Sequence, residues 1–190
     1  MSDQAIERLP ADAHVIFTAV EIDAIISRMA REISADLSGS NPIIMPVLLG
    51  GAFTAIRLMQ HFEFPYEMDT VRIARYGNDL RGGQVHWFAR PCLELDGRNI
   101  LLVDDVLDRG ITLQAVQHEL KRMNAASVST AVLIRKTLDA KAERPAVDYV
   151  GADAPNEFLF GCGMDLEGRW RGLPGLYAVD RSRESSERSL

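Results

Sequence analysis

The stretch Asn99–Ala125, NILLVDDVLDRGITLQAVQHELKRMNA, decides the fold. NILLVDDV is an almost unbroken apolar run and reads as a strand buried on both faces. DRGIT reads as a loop, and LQAVQHELKRMNA as a helix with Leu113, Val116, Leu120 and Met123 on one side. Immediately beyond, STAVLIRK (129–136) is a second apolar strand. Upstream, IIMPVLLGGAFTAIRLMQHF (43–62) runs from an apolar strand through Gly50-Gly51 into a helical pattern of Ile56, Met59 and Phe62. Strand–helix followed by strand–helix–strand requires crossover connections. The class is therefore α/β, a mostly parallel twisted sheet flanked by helices.

Farther out, Thr18 with Glu21 three residues on has the form of a capping box, so a helix is predicted to begin there. Ile22, Ile25, Ile26, Met29, Ile33 and Leu37 then line one stripe until Gly39 and Pro42 end the pattern. Between Tyr66 and Arg98, TVRIARY and QVHWFARP alternate as strands would around the turn-like NDLRGG, which predicts an antiparallel excursion. From Asp148 to Asp180 short strands, glycines and aromatics replace long periodic elements, and this segment is assigned to a small lobe beside the sheet. The expected organisation is one domain over residues 1–180. Its hood lobe is built from the N-terminal segment and about residues 150–180, and a frayed tail follows over 181–190.

The composition narrows the partners. With 190 residues, 47% hydrophobic and 25% charged, one globular core is expected. Net charge is 21 − 27 = −6, which gives no electrostatic reason to expect nucleic acid or an anionic membrane as partner. Cys92 and Cys162 are too few for a disulfide framework and have no metal-motif spacing. The polar start, MSDQAIERLPADAH, has no apolar run of signal-peptide type, so the protein is expected in the cytoplasm.

Open parallel sheets bind ligands beyond the carboxyl ends of their strands. Asp104 and Asp105 close the central strand as adjacent carboxylates, and such a pair needs cations or hydroxyl donors to share its charge. Asp108 opens the loop, Gly110 is free to take positive φ, and Thr112 stands at the start of the helix. First-turn amides, a hydroxyl and the positive end of the helix dipole suit a phosphate monoester.

These residues carry a resemblance. VDDVLDRGITL resembles the phosphoribosyl diphosphate (PRPP) signature of type I phosphoribosyltransferases, and LLGGAF resembles their pyrophosphate loop. RIARYGND with GGQVHWFARP looks like their flexible catalytic loop. Lys136 with FLFGCGMDLEGRWRGLPGLYAV looks like the purine-recognition end of the hypoxanthine-guanine branch. The similarity runs from about Thr18 to Val179.

The resemblance implies transfer of a 6-oxopurine, hypoxanthine or guanine, onto PRPP with Mg²⁺ as cofactor, giving IMP or GMP and pyrophosphate. Asp104 and Asp105 would hold the ribose hydroxyls directly or through Mg²⁺, with Asp165 as a further metal or base contact. Asp108 would act as general base at purine N7. Arg109, Gly110, Ile111 and Thr112 would enclose the 5-phosphate, while Leu49, Gly50 and Arg171 would meet pyrophosphate. Lys136 would donate to O6 of the purine, although a one-residue shift would put Arg135 there instead. Phe158 would stack on the base and Leu159 would offer backbone groups to its edge. Arg75 and Tyr76 would lie in the closing loop.

The resemblance also implies a homodimer or homotetramer, and often a non-proline cis peptide in the pyrophosphate loop. Two positions depart from the family pattern: Leu49 stands where relatives carry lysine, and Arg109 where many carry threonine. The competing readings are a xanthine-preferring transferase and a PRPP-sensing regulator that binds nucleic acid. The net charge of −6 and the absence of spare length argue against the regulator.

Overall fold

The structure, a computed structural model, describes residues 9–75, 85–138 and 144–179. Strand β1 (His14–Phe17) leads into helix α1 (Ala19–Leu37), whose N-cap is the predicted capping box. The Glu21 amide donates to Thr18 Oγ1 at 3.3 Å, and the Thr18 amide donates to Glu21 Oε2 at 2.8 Å. The predicted stripe is the buried face of α1, with Ala30 added and Ile25 only partly covered.

The main sheet takes β2 (Ile43–Pro46), β3 (Glu67–Met68), β6 (Asn99–Leu107), β7 (Ser127–Lys136) and β8 (Tyr149–Ala154) in the order β3-β2-β6-β7-β8. Every pairing in it is parallel. Helices α1, α2 (Gly50–Met59) and α3 (Ile111–Arg122) cover its two faces, and the alternation of β6 separates two cores. Leu101 and Val103 pack with the buried sides of α1 and α2, whereas Ile100 and Leu102 pack with Leu113, Val116 and Leu120 of α3.

Strands β4 (Arg72–Arg75) and β5 (Val85–Ala89) form the predicted antiparallel excursion. Its base is pinned by Asp69, which accepts from the amides of Thr70 (2.7 Å), Cys92 (2.6 Å) and Leu93 (2.8 Å). Strands β9 (Phe158–Phe160) and β10 (Leu176–Val179) complete a separate three-stranded antiparallel sheet in the order β1-β10-β9. This hood joins the two ends of the described chain. Among the described residues no helix is long and apolar enough to cross a membrane. The frayed tail expected over 181–190 lies outside the described residues.

Three sequence expectations are corrected. Helix α2 does not bury Ile56, which is 50% exposed, and Phe62 lies beyond its end. The helix buries small residues in its first turns, Gly50, Gly51, Thr54 and Ala55, because its start lies too close to β6 for bulkier ones, and buries Leu58 nearer its end. A Cβ on Gly51 would stand 2.3 Å from the Val103 carbonyl oxygen. Tyr149–Ala154, assigned to the small lobe, is the edge strand of the main sheet. Asp104 and Asp105 do not close β6, which continues to Leu107 because β7 keeps pairing with it as far as Arg135.

Candidate functional site

The carboxyl ends of β6 and β7 open into a cleft of about 200 Å³ lined by Asp105, Val106, Lys136, Phe158, Leu159, Met164 and Asp165. The main sheet supplies the first three of these residues and the hood the others. Val106 and Met164 are linings that sequence reading misses. Each is an apolar residue inside a motif whose polar neighbours draw the attention.

Because Asp104 and Asp105 are consecutive within a strand, their side chains leave on opposite faces. Asp105 follows Leu101 and Val103 toward α2, where Gly50 makes room for it: a Cβ on Gly50 would stand 1.7 Å from Asp105 Oδ2. Asp104 follows Leu102 toward α3. Burial holds the Asp104 carboxyl well above the ordinary carboxylate value, and the Asp105 charge raises it further. Burial raises Asp105 too, against hydrogen bonds that lower it, among them the Val106 amide at 2.8 Å, and against the charge of Arg171. Both residues are half-buried.

Asp108 lies just past β6 with its side chain 54% exposed, and its Oδ2 is 4.0 Å from Lys136 Nζ, whose own side chain is only 14% exposed. Lys136 therefore offers an ammonium from the wall of the cleft beside an open carboxylate. Arg135 points elsewhere. It faces its cross-strand partner Asp153 and holds it through two hydrogen bonds of 2.6 and 2.9 Å, keeping that carboxyl below its ordinary value. The choice between Arg135 and Lys136 as the cleft cation thus falls to Lys136.

After Asp108 the chain passes Arg109, which is exposed, and reaches Gly110 at φ 70° as the N-cap of α3. That left-handed turn aims Ile111 and Thr112 into the first turn of the helix, where amides lack intrahelical acceptors. Thr112 is exposed. The second turn, Leu49-Gly50, opens α2, and the peptide bond Leu48–Leu49 is cis. Leu49 is 50% exposed, and the next amides, Gly51 and Ala52, are spent on Val47 O (3.0 Å) and Leu49 O (3.2 Å).

On the hood side, Phe158 is half-buried and Leu159 buried. Arg171 donates to Gly163 O at 2.6 Å and to Asp165, whose other oxygen accepts the Gly168 amide at 2.7 Å. Asp165 is thereby committed to its own loop. Among the described residues no three potential metal ligands gather. Arg75 ends β4 opposite Val85, and Tyr76 lies outside the described residues.

The arrangement is that of an open α/β protein with a cleft where its central strands end, the place where such sheets bind ligands. The chain belongs to the phosphoribosyltransferase family: residues 16–166 match the phosphoribosyl transferase domain. It is 31% identical over 167 residues to the hypoxanthine-guanine phosphoribosyltransferase of Dictyostelium discoideum, covering 85% of this chain and 92% of that protein. It is 32% identical over 161 residues to the bifunctional protein TilS/HprT of Listeria monocytogenes, covering 84% of this chain but only about a quarter of that longer protein. The solved hypoxanthine phosphoribosyltransferase of Trypanosoma cruzi, a point mutant complexed with its product IMP, superposes with a TM-score of 0.82. It is 27% identical and is matched over 97% of this chain and all of that one.

Proposed function

We propose that the protein is a purine-salvage transferase that joins hypoxanthine or guanine to PRPP and releases IMP or GMP with pyrophosphate. The observation that carries this reading is the pairing of the cleft's largely buried cation, Lys136, with the open carboxylate of Asp108 at 4.0 Å. A 6-oxopurine presents a carbonyl acceptor at O6 beside a ring nitrogen at N7, and that edge needs a donor and a proton acceptor side by side. Lys136 donates to O6, and Asp108 takes the N7 proton as the base nitrogen bonds to C1 of the ribose and the C1–pyrophosphate bond breaks. Adenine presents an amino donor to Lys136 and is rejected.

Phe158 covers the face of the base and the Leu159 backbone reads its edge, while Val106 and Met164 keep the wall apolar. Arg109, Gly110, Ile111 and Thr112 receive the 5-phosphate at the N-terminus of α3. The amides of Leu49 and Gly50 meet pyrophosphate, with Arg171 as a charged donor. Arg75, at the end of β4, and Tyr76, outside the described residues, keep the closing-loop role that the resemblance implies. Leu49, in place of a lysine, contributes backbone only.

Asp104 and Asp105 suit Mg²⁺: they are hard oxygen donors, half-buried, and both pushed toward the protonated form by burial, a cost that a bound cation removes. Because the two side chains leave on opposite faces of β6, either carboxylate with substrate oxygens would suffice, since Mg²⁺ takes one or two carboxylates plus substrate phosphates. When bound, the ion would be held by these carboxylates and would supply positive charge to offset that of the diphosphate. The test is to compare initial rates with PRPP on hypoxanthine, guanine, xanthine and adenine. Turnover of the first two supports the reading. Preference for xanthine would move the specificity, and use of adenine alone would overturn the role of Lys136.

A further inference from the structure

We propose that Arg144 and Pro145, on the segment joining β7 to β8, are positioning residues that hold the purine and phosphate halves of the site in fixed relation. The inference rests on the transferase reading above and deepens it. Arg144 Nη1 donates to the Lys136 carbonyl oxygen at 2.6 Å, reaching back eight residues to the last position of β7. Beyond that position the ladder is carried on by the Thr137 amide, which donates to Ala154 O at 2.8 Å. A strand end is where a backbone frays. The charged donor there fixes the peptide from which Lys136 projects toward Asp108.

The next residue acts on the other half. A Cβ on Gly110 would stand 2.6 Å from Pro145 Cδ and 2.7 Å from Cγ, so the proline ring lies directly on the turn that opens α3. Gly110 is needed there for two reasons: its φ of 70° and the ring above it. Arg144 and Pro145 are both half-buried, and neither is among the residues lining the cleft, so both act through backbone. Two neighbouring residues thus grip the cation that faces O6 and the loop that seats the phosphate. A misplacement of about 1 Å at such a point is enough to cost on the order of 10²-fold in rate.

The test uses the full chain and three variants, Arg144→Met, Arg144→Lys and Pro145→Ala, with KM measured separately for hypoxanthine and PRPP and with thermal melts. Arg144→Met is expected to raise KM for hypoxanthine about tenfold, the worth of one charged hydrogen bond, with KM for PRPP within about twofold. Arg144→Lys keeps a charged donor and recovers most of that loss. Pro145→Ala is expected to shift KM the other way, roughly three- to tenfold for PRPP with hypoxanthine unchanged, as the turn at Gly110 gains freedom. A merely structural role would lower the melting temperature and leave both KM values alone, and that result overturns the proposal. A wild-type chain inactive on every 6-oxopurine would instead refute the transferase reading.

Discussion

Replacing the two glycines of the LLGGAF turn by alanine, one at a time, separates a functional contact from a packing contact. At Gly51 the new methyl would stand 2.3 Å from the Val103 carbonyl oxygen and 3.0 Å from Asp104 Cα, both backbone atoms of the central strand. Neither can move without shifting β6. Overpacking of this kind costs about 1–3 kcal/mol, and for a chain of this size each kcal/mol lowers the melting temperature by roughly 2–4 °C. The expected loss for Gly51→Ala is therefore roughly 2–12 °C.

At Gly50 the methyl would stand 1.7 Å from Asp105 Oδ2 and 2.3 Å from Cγ. These are side-chain atoms that can rotate away, so folding survives. Alanine also restricts the unfolded chain, which returns about 0.4–1 kcal/mol, and the melt should move by no more than about 2 °C. What is lost is the Asp105 carboxylate in the cleft. A hydrogen bond to a charged group is worth about 1.5–3 kcal/mol, so KM for PRPP should rise roughly 10- to 150-fold. Thermal denaturation followed by circular dichroism and steady-state kinetics at saturating hypoxanthine give both numbers. If both variants melt alike and both keep the wild-type KM for PRPP, Asp105 does not hold the sugar and the account of Gly50 is wrong.

Asp108→Asn should lower kcat by about 10²–10⁴-fold, as expected for loss of a general base, while PRPP still protects the enzyme against heat; full activity would remove Asp108 from the chemistry. Asp104→Asn should raise the melting temperature of the ligand-free, chelator-treated protein at pH 7 while weakening PRPP binding. The fold holds this carboxyl above its ordinary value of 3.8, so the stability it contributes is complete below that pH and is lost as pH rises through the raised value. A variant melting no higher than wild type at pH 7 would contradict that sign. Iodoacetamide at pH 8 should label exposed Cys92 and spare Cys162, whose thiol is buried and pushed up to about 11, leaving about 10⁻³ of it as thiolate. Peptide mapping that finds both alkylated equally in the native protein would count against the packing of Cys162 under the hood.

Elements defined by large side chains or by local hydrogen bonding are legible in the sequence. The capping box at Thr18, the stripe of α1, the strand–loop–helix around Asp108 and the positive φ of Gly110 are all local, and the structure contains each of them. Helix α2 reads on the wrong face because periodicity weighs bulky residues, while its inner side is chosen for smallness against β6. The assignment of Tyr149–Ala154 fails because an edge strand of a parallel sheet differs little, in one sequence, from a strand of a small lobe. Whether Arg135 or Lys136 faces the cleft depends on Asp153 standing opposite Arg135, a pairing across 18 residues with no local trace. Arg144 and Pro145 carry no signal, since their work is done on the backbone of residues far along the chain.

The pairing of β1 with β10 bears on how the protein is made. As the polypeptide leaves the ribosome, β1 emerges ahead of all five strands of the main sheet, and the partner that covers its edge follows all of them. Until then a strand with unpaired backbone is free to find another chain, a hazard in crowded translation. Nascent molecules stalled before Leu176 should therefore recruit chaperones strongly and release them once β10 clears the exit tunnel.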